Sequence, residues 1–283
     1  MIPLKRSLNI PKEISLTILL RKIRSKSMRN HYWISLWTLI RREIARFMGM
    51  RNMTIFPQMI STALYIIIFG FSLGGRIKEI HGFHYIEFIF PGLVLMGVIT
   101  SSYNNASNYL FMARYDTSIQ DILLTPLSYL QMVFAFTIGS IIRGLIVGVL
   151  VLATGCILLK LPIYSMAATL IFLLLTSLIF ASFGIITGLW AERWEDLALF
   201  INYIVTPLNF LGGIFYSIDM LPPWWRHLSL LNPIFYMVNG FRYGILGFNE
   251  IPLSISFALM SALSIFLFFW TVYLFKIGYK LKT

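Results

Sequence analysis

The sequence predicts an all-α integral membrane protein with six transmembrane helices. Three observations carry that reading: an excess of apolar residues, a shortage of charge, and the gathering of the apolar residues into long runs. Hydrophobic residues fill 58% of the 283 positions and charged residues 12%, with a mean hydropathy of +0.79. Soluble domains carry about 25% charged residues, so this chain has too few to cover a water-facing surface. Intrinsic disorder is excluded because it requires low hydrophobicity. The net charge of +12 alone would suit a nucleic-acid binder, but the apolar content argues against one.

Residues 1–30 form a basic arm. Its Arg/Ser-rich segment from Arg21 to Arg29 has two readings, an organelle transit peptide or a cytoplasmic arm facing anionic lipid, and the second is favoured. The apolar run Ile14–Leu20 is not followed by a small-residue cleavage site, so no secretory signal is read there. Trp33, Leu36, Trp37, Ile40, Ile44 and Phe47 then recur at helical spacing and form one apolar stripe. Arg41, Arg42, Glu43 and Arg46 fall off it. The pattern predicts an amphipathic helix in the cytoplasmic interface, its tryptophans at headgroup level. Such a helix serves as an anchor and is also placed to touch a cytoplasmic partner.

A helix needs about 20 mostly apolar residues to cross the bilayer. Six runs qualify: Thr54–Gly74, Phe88–Phe111, Leu130–Leu159, Met166–Trp190, Leu197–Ser217 and Pro252–Phe275. The stretch Ile218–Ile251 is aromatic and half apolar but broken by Pro222, Pro223 and Pro233. It reads as short helices at or in the membrane surface. Lys and Arg set the orientation. Seventeen of the 23 fall on one side, twelve of them before the first span, five fall on the other, and Arg143 lies inside a span. Both termini are therefore expected in the cytoplasm.

In the loop after the second span, Thr117 and Gln120 have capping-box spacing, and Pro126 disfavours helix at Thr125. A short helix is expected there, carrying Ile119, Ile122, Leu123 and Leu124. Exposed apolar side chains on such a helix read either as a docking knob or as groups sinking into the bilayer surface. The acidic loop Ala191–Asp196 reads as a solvated turn.

No lysine follows a glycine anywhere in the chain, so the usual phosphate-cradling loop is absent. Any ATP must then be handled by another polypeptide, and no cofactor is expected on this one. The four histidines, His31, His81, His84 and His227, are scattered and do not specify a metal. The lone Cys156 excludes an intrachain disulfide and a thiolate cluster. Gly70-Phe-Ser-Leu-Gly74 matches G-x-S-x-G, which would make Ser72 the nucleophile of an intramembrane serine hydrolase, yet no span holds a histidine to act as its base. A stand-alone secondary transporter or channel is the other alternative. It would place paired carboxylates inside the spans, and no Asp or Glu lies well inside any of the six.

Polar residues inside the spans point to a path. A charge at mid-bilayer costs about 2.5–3.5 kcal/mol, so Arg143 must snorkel, pair with a carboxylate or face substrate, and pairing is the favoured reading. The second span holds Thr100, Ser101, Ser102, Asn104, Asn105, Ser107 and Asn108, which are unfavourable against lipid. Asn104, Asn105, Asn108 and Arg143 are the candidate translocation path.

Before the last span, Leu221-Pro-Pro-Trp-Trp-Arg226 is followed by Leu231-Asn-Pro-Ile-Phe-Tyr-Met-Val-Asn-Gly-Phe-Arg242, with Leu211-Gly-Gly-Ile-Phe-Tyr-Ser217 upstream. This resembles the C-terminal signature of ABC transporter permeases of the type-2 (ABC-2 type) family. The similarity is greatest to the branch of daunorubicin-type drug exporters and nodulation lipo-oligosaccharide exporters. Val205 departs from that pattern, and the resemblance covers Tyr32 to the C-terminus. It implies a type-2 transmembrane domain over 31–283, with Pro222, Pro233, Tyr236 and Arg242 as structural signature residues. It also implies that the short helix 117–124 is a coupling helix inserting into a separate ABC ATPase subunit through Thr117, Ile119, Gln120, Asp121, Leu123 and Leu124. The amphipathic helix would abut the same ATPase, and Ile218–Ile251 would form extracytoplasmic re-entrant helices. The family works as two permeases with two ATPases, so a second permease copy, in a homodimer or heterodimer, and ATP on the partner subunit are implied. The expected location is the plasma (inner) membrane of a prokaryote, with an organellar membrane as the alternative. Drugs, lipids, lipid-linked glycans and peptides remain open as cargo.

Overall fold

The computed structural model describes residues 34–46, 48–49, 56–72, 79–125 and 127–281. The 1–30 arm, Trp33, Phe47 and the side chain of Ser72 lie outside the described residues. In chain order the elements are α1 (residues 34–46), α2 (Phe56–Ser72), a hairpin of β1 (Glu79–Ile80) and β2 (Phe83–His84), α3 (Tyr85–Tyr115) and α4 (Ser118–Leu123). There follow α5 (Tyr129–Leu159), α6 (Met166–Trp190), α7 (Trp194–Phe200), a π turn (Ile201–Val205) and α8 (Thr206–Leu211). After a 3₁₀ turn (Ile218–Met220) come α9 (Pro223–Leu231), α10 (Pro233–Leu246) and α11 (Leu253–Ile277). Four of these, α3, α5, α6 and α11, are long and apolar enough to cross a membrane.

The centre of the bundle is α3 packed on α6. Small residues permit this: a Cβ on Gly184 would stand 2.6 Å from the Tyr103 carbonyl oxygen, and one on Gly188 would stand 2.8 Å from the Ser107 carbonyl oxygen. With no hydrophobic drive between helices in lipid, such close backbone approach is the main source of association. On the other flank, α5 packs against α3 and α6 through Gly148, whose missing Cβ leaves room for Val98 and Leu173. Helix α2 lies on α3, with the Gln58 side chain against Gly97, while Ile60, Leu64, Ile67 and Ile68 face outward.

The bounds of α5, α6 and α11 follow the apolar runs closely, and α3 extends beyond its run at both ends. The fifth run differs. From α7 through the π turn to α8 the chain is one continuous helix, but it begins at Trp194 and stops at Leu211 rather than Ser217. Gly212 closes it and Gly213, at φ +68°, reverses the chain. Apolar content alone does not register that break, because the residues after it are just as hydrophobic.

The stretch expected at or in the membrane surface divides in two. Helix α9 is largely exposed, but α10 is buried among α3, α6 and α11. Two glycines admit it: Gly240 sits against the Phe172 ring and Gly244 against Thr169. The bend between α9 and α10 is Asn232, whose Oδ1 accepts from the Ile234 N–H (3.0 Å) and whose Nδ2 donates to the Leu208 carbonyl (2.6 Å). Pro233 follows at the first helical position, where its missing N–H is harmless.

Candidate functional site

At one end of the bundle α1 and α4 lie side by side on α3 and α5. The face that α1 turns inward shares Leu36, Ile40 and Ile44 with the stripe read from the sequence, adds Leu39 and Glu43, and leaves out Trp37. Leu36, Leu39, Ile40 and Glu43 are buried, whereas Trp37 is 64% exposed. Glu43 lies on that face, its side chain only 1% exposed and resting on Gly139 of α5. Arg46 Nη2 reaches its carboxylate at 3.0 Å, and the Arg46 guanidinium lies 3.5 Å over the Tyr109 ring. Burial pushes the Glu43 carboxyl above the usual carboxylate range, against the pull of Arg46. A count of apolar residues misses a buried ion pair on the inward face.

Helix α4 is present, but the capping box is not. Thr117 is left-handed (φ 62°) with no capping bond from its side chain. Asp116 does the work instead, its Oδ1 accepting from the Ser118 N–H at 3.0 Å. These bonds hold the Asp116 carboxyl below its ordinary pKa. The expected apolar knob also divides. Ile119 and Ile122 are buried in a core with Leu36, Leu39, Ala113 and Met132. Leu124 is 84% exposed, and Thr117, Gln120 and Asp121 are exposed beside it. Leu123 is half-buried and lines a cleft of about 750 Å³ that runs from Gln120 and Leu124 to Lys276 and Leu281 at the end of α11. A smaller cleft of about 330 Å³ separates α4 from α1.

The same end is tied together by basic side chains. Arg114 Nη1 donates to the carbonyls of Gly188, Leu189 and Ala191 at 2.7–3.0 Å. It thereby satisfies the open end of α6. Lys280 donates to the Trp190 carbonyl (3.0 Å) and pairs with Glu192 (2.7 Å). In the acidic turn, Asp196 accepts from the Glu192 and Arg193 N–H groups, each at 2.9 Å.

The polar run of α3 is shared between two faces. Ser102 and Ser107 are buried at the helix contacts, Ser102 against Gly144 and Ser107 against Gly188. Asn105 points toward α5, its Nδ2 donating to Ser140 Oγ (3.0 Å) and its Oδ1 accepting from Arg143 Nη1 (3.2 Å). Asn104, Asn108 and Arg143 line a groove of about 610 Å³ with Arg42, Arg46 and Asp116. The four path residues are thus brought together. The favoured expectation of a carboxylate for Arg143 is not met among the described residues; its partner is an amide.

The opposite end is held by Arg242, which is fully buried. Its Nη1 lies 2.7 Å from Glu250, its Nη2 donates to the Gly213 carbonyl (2.7 Å), and its Nε donates to the Phe88 carbonyl (3.3 Å). The Phe88 ring lies under the guanidinium at 3.8 Å. Glu250 Oε2 also accepts from the Ile218 N–H (2.9 Å). Asn239 completes the cluster, accepting from the Glu250 and Ile251 N–H groups and donating to Ser256 Oγ. Pro222 and Pro233 open α9 and α10, and Tyr236 donates from its hydroxyl to the Leu230 carbonyl (2.8 Å). Glu250 escaped the sequence reading, although it is the one carboxylate after Asp219.

These features define a polytopic helical membrane protein in which a polar groove at one end and the buried Arg242–Glu250 cluster at the other are prominent among the described residues. The family model described as "ABC-2 type transporter" matches residues 34–246, and the chain belongs to that family. It is 40% identical over 233 residues to the inner membrane transport permease YadH of Escherichia coli, covering 82% of this chain and 91% of the relative. It is 25% identical over 231 residues to nodulation protein J of Rhizobium meliloti, covering 76% and 81%. It is 23% identical to the putative transport permease ycf38 of Cyanophora paradoxa, covering 79% of each.

Proposed function

We propose that this chain is the membrane-spanning permease subunit of an ATP-driven exporter. In this reading α2, α3, α5, α6, the continuous α7–α8 helix and α11 are six spans of an inner membrane, and both termini are cytoplasmic. Helices α9 and α10 re-enter from the outer side. ATP is bound by a separate ABC ATPase subunit, and a second permease copy completes the path. Asn104, Asn105, Asn108 and Arg143 line the route of the cargo.

The observation that carries the reading is the seating of α4. Ile119 and Ile122 lock it onto α1, α3 and α5, while Leu124, Gln120 and Asp121 stand outward. A helix fixed on its inner face and apolar at its tip passes a push from a docked partner into the long helices behind it. Rigid packing of α3 on α6 carries that movement further, since packed cores shift between discrete arrangements rather than deform smoothly.

The test is Leu124→Asp, with Met220→Asp at the other end of the bundle as the control. ATPase recovered with the tagged permease is expected to fall by about tenfold for the first, as for loss of one apolar interface anchor, with unchanged permease yield. The control is expected to recover the ATPase in full. Equal recovery with both variants overturns the coupling surface.

A further inference from the structure

We infer that the groove beside Arg143 binds a phosphate-type oxyanion, carried as the headgroup of an amphiphile or present as a free ion. The inference deepens the permease reading and rests on it, naming the chemistry of what occupies the path.

The argument begins with an inconsistency in how the chain treats its arginines. Arg46 has Glu43, Arg242 has Glu250, and Arg114 has three carbonyls. Arg143 is partly buried midway along α5, yet among the described residues its one hydrogen bond goes to the Asn105 amide. Its Nε is buried with no acceptor, as are those of Arg46 and Arg114, so what sets Arg143 apart is that neither a carboxylate nor a carbonyl takes its guanidinium among the described residues. A guanidinium offers five donors in a planar fork that matches an oxyanion. Holding that charge away from bulk water with no counter-ion is unfavourable, and a bound anion removes the penalty.

The surroundings suit that occupant. Asn104 and Asn108 present amides one helical turn apart on the wall that Arg143 faces, and Arg42 and Arg46 stand nearer the mouth. Two acids lie nearby. Glu43 is committed to Arg46, and Asp116 at the mouth is held by the Ser118 N–H. The volume of about 610 Å³ falls in the range of about 300–1,000 Å³ typical of ligand sites. From Asp116 to Asn104 the groove runs about 18 Å along α3 at 1.5 Å per residue. Met112 and Trp194 line the same groove and are exposed, so an apolar body can lie beside the anion. Cationic clefts with apolar walls concentrate anions by focusing the field.

The experiment uses the full chain purified in a neutral maltoside detergent without any ATPase. The probes are dihexanoyl phosphatidic acid, neutral dihexanoylglycerol and inorganic phosphate. Wild type is expected to bind the phosphatidic acid and to ignore the neutral glycerolipid. Arg143→Gln is expected to weaken binding about tenfold or more, as for loss of a charge-assisted pair, and Arg143→Lys to weaken it less than Arg143→Gln, because it keeps the charge but loses the planar fork. The unliganded Arg143→Gln protein is expected to melt no lower than wild type, since it loses an uncompensated charge. Should it fail to fold, Asn104→Asp with Asn108→Asp, at partly exposed positions, puts carboxylates in the groove and is expected to weaken binding likewise. Inorganic phosphate that competes in an Arg143-dependent way identifies the oxyanion alone as sufficient. Phosphate that does not compete identifies a headgroup with its acyl body. Equal affinity of wild type and Arg143→Gln, or equal binding of the neutral glycerolipid, overturns the proposal. Failure here leaves the Leu124 result standing, and failure at Leu124 leaves the binding result standing.

Discussion

Arg242 and Glu250 are the residues on which the end of the bundle opposite α4 depends. A buried pair is weak evidence of net stabilisation, but removing one partner leaves the other charge without compensation, at a cost of about 3–5 kcal/mol. Glu250→Gln is therefore expected to lower stability by about that amount, read by SDS-induced unfolding. Glu250→Gln should also release the 3₁₀ turn, because Ile218 N–H loses a charged acceptor. A change below about 1 kcal/mol, the worth of one ordinary hydrogen bond, contradicts the account of the cluster. At this scale the sequence was only half legible. Arg242 stands out from its motif, but its carboxylate lies across the turn after α10, held there by the Glu250 N–H bond to Asn239. Arg143 is the converse case: the charge is plain in the sequence, and its amide partner on another helix is not.

Among the elements, four of the six apolar runs were read well, because hydropathy and length suffice for them. Met166–Trp190 has the same bounds in both readings. What failed were the features set by geometry rather than composition. The inward face of α1 takes in a buried Glu43 that lies off the apolar stripe, and the start of α4 rests on Asp116 rather than Thr117. The end of α8 was decided by Gly213 in the left-handed region. The burial of α10 was invisible because its Gly240 and Gly244 have meaning only against Phe172 and Thr169. The glycines of α6 make a direct test of element packing. Gly184→Ala places a methyl 2.6 Å from a backbone oxygen, which cannot rotate away, so stability is expected to fall by about 1–3 kcal/mol. Gly49→Ala, with nothing within 4 Å, is the control. Equal unfolding of both variants contradicts the close approach of α3 and α6.

For the whole molecule, the two ends of the bundle divide the labour. One end is knitted by the Arg242 cluster and the α9–α10 fold-back. The other presents α1, α4 and the mouth of the Arg143 groove. In the proposed permease the ATPase docks at the second end, close to where the cargo's anionic group is held. A push on α4 thus reaches the groove through α3 over a short distance. Among the described residues, Arg41, Arg42, Arg46, Arg114, Arg193, Lys276 and Lys280 lie at the α1–α4 end, and Arg42, Arg46 and Arg143 line the groove. The most direct test is site-specific photo-crosslinking in intact membranes that contain the chain and its ATPase. A benzophenone amino acid is placed at Leu124, or at Met220 on the opposite end. The account predicts a crosslink to the ATPase from Leu124 and none from Met220; a crosslink from Met220, or none from Leu124, contradicts it.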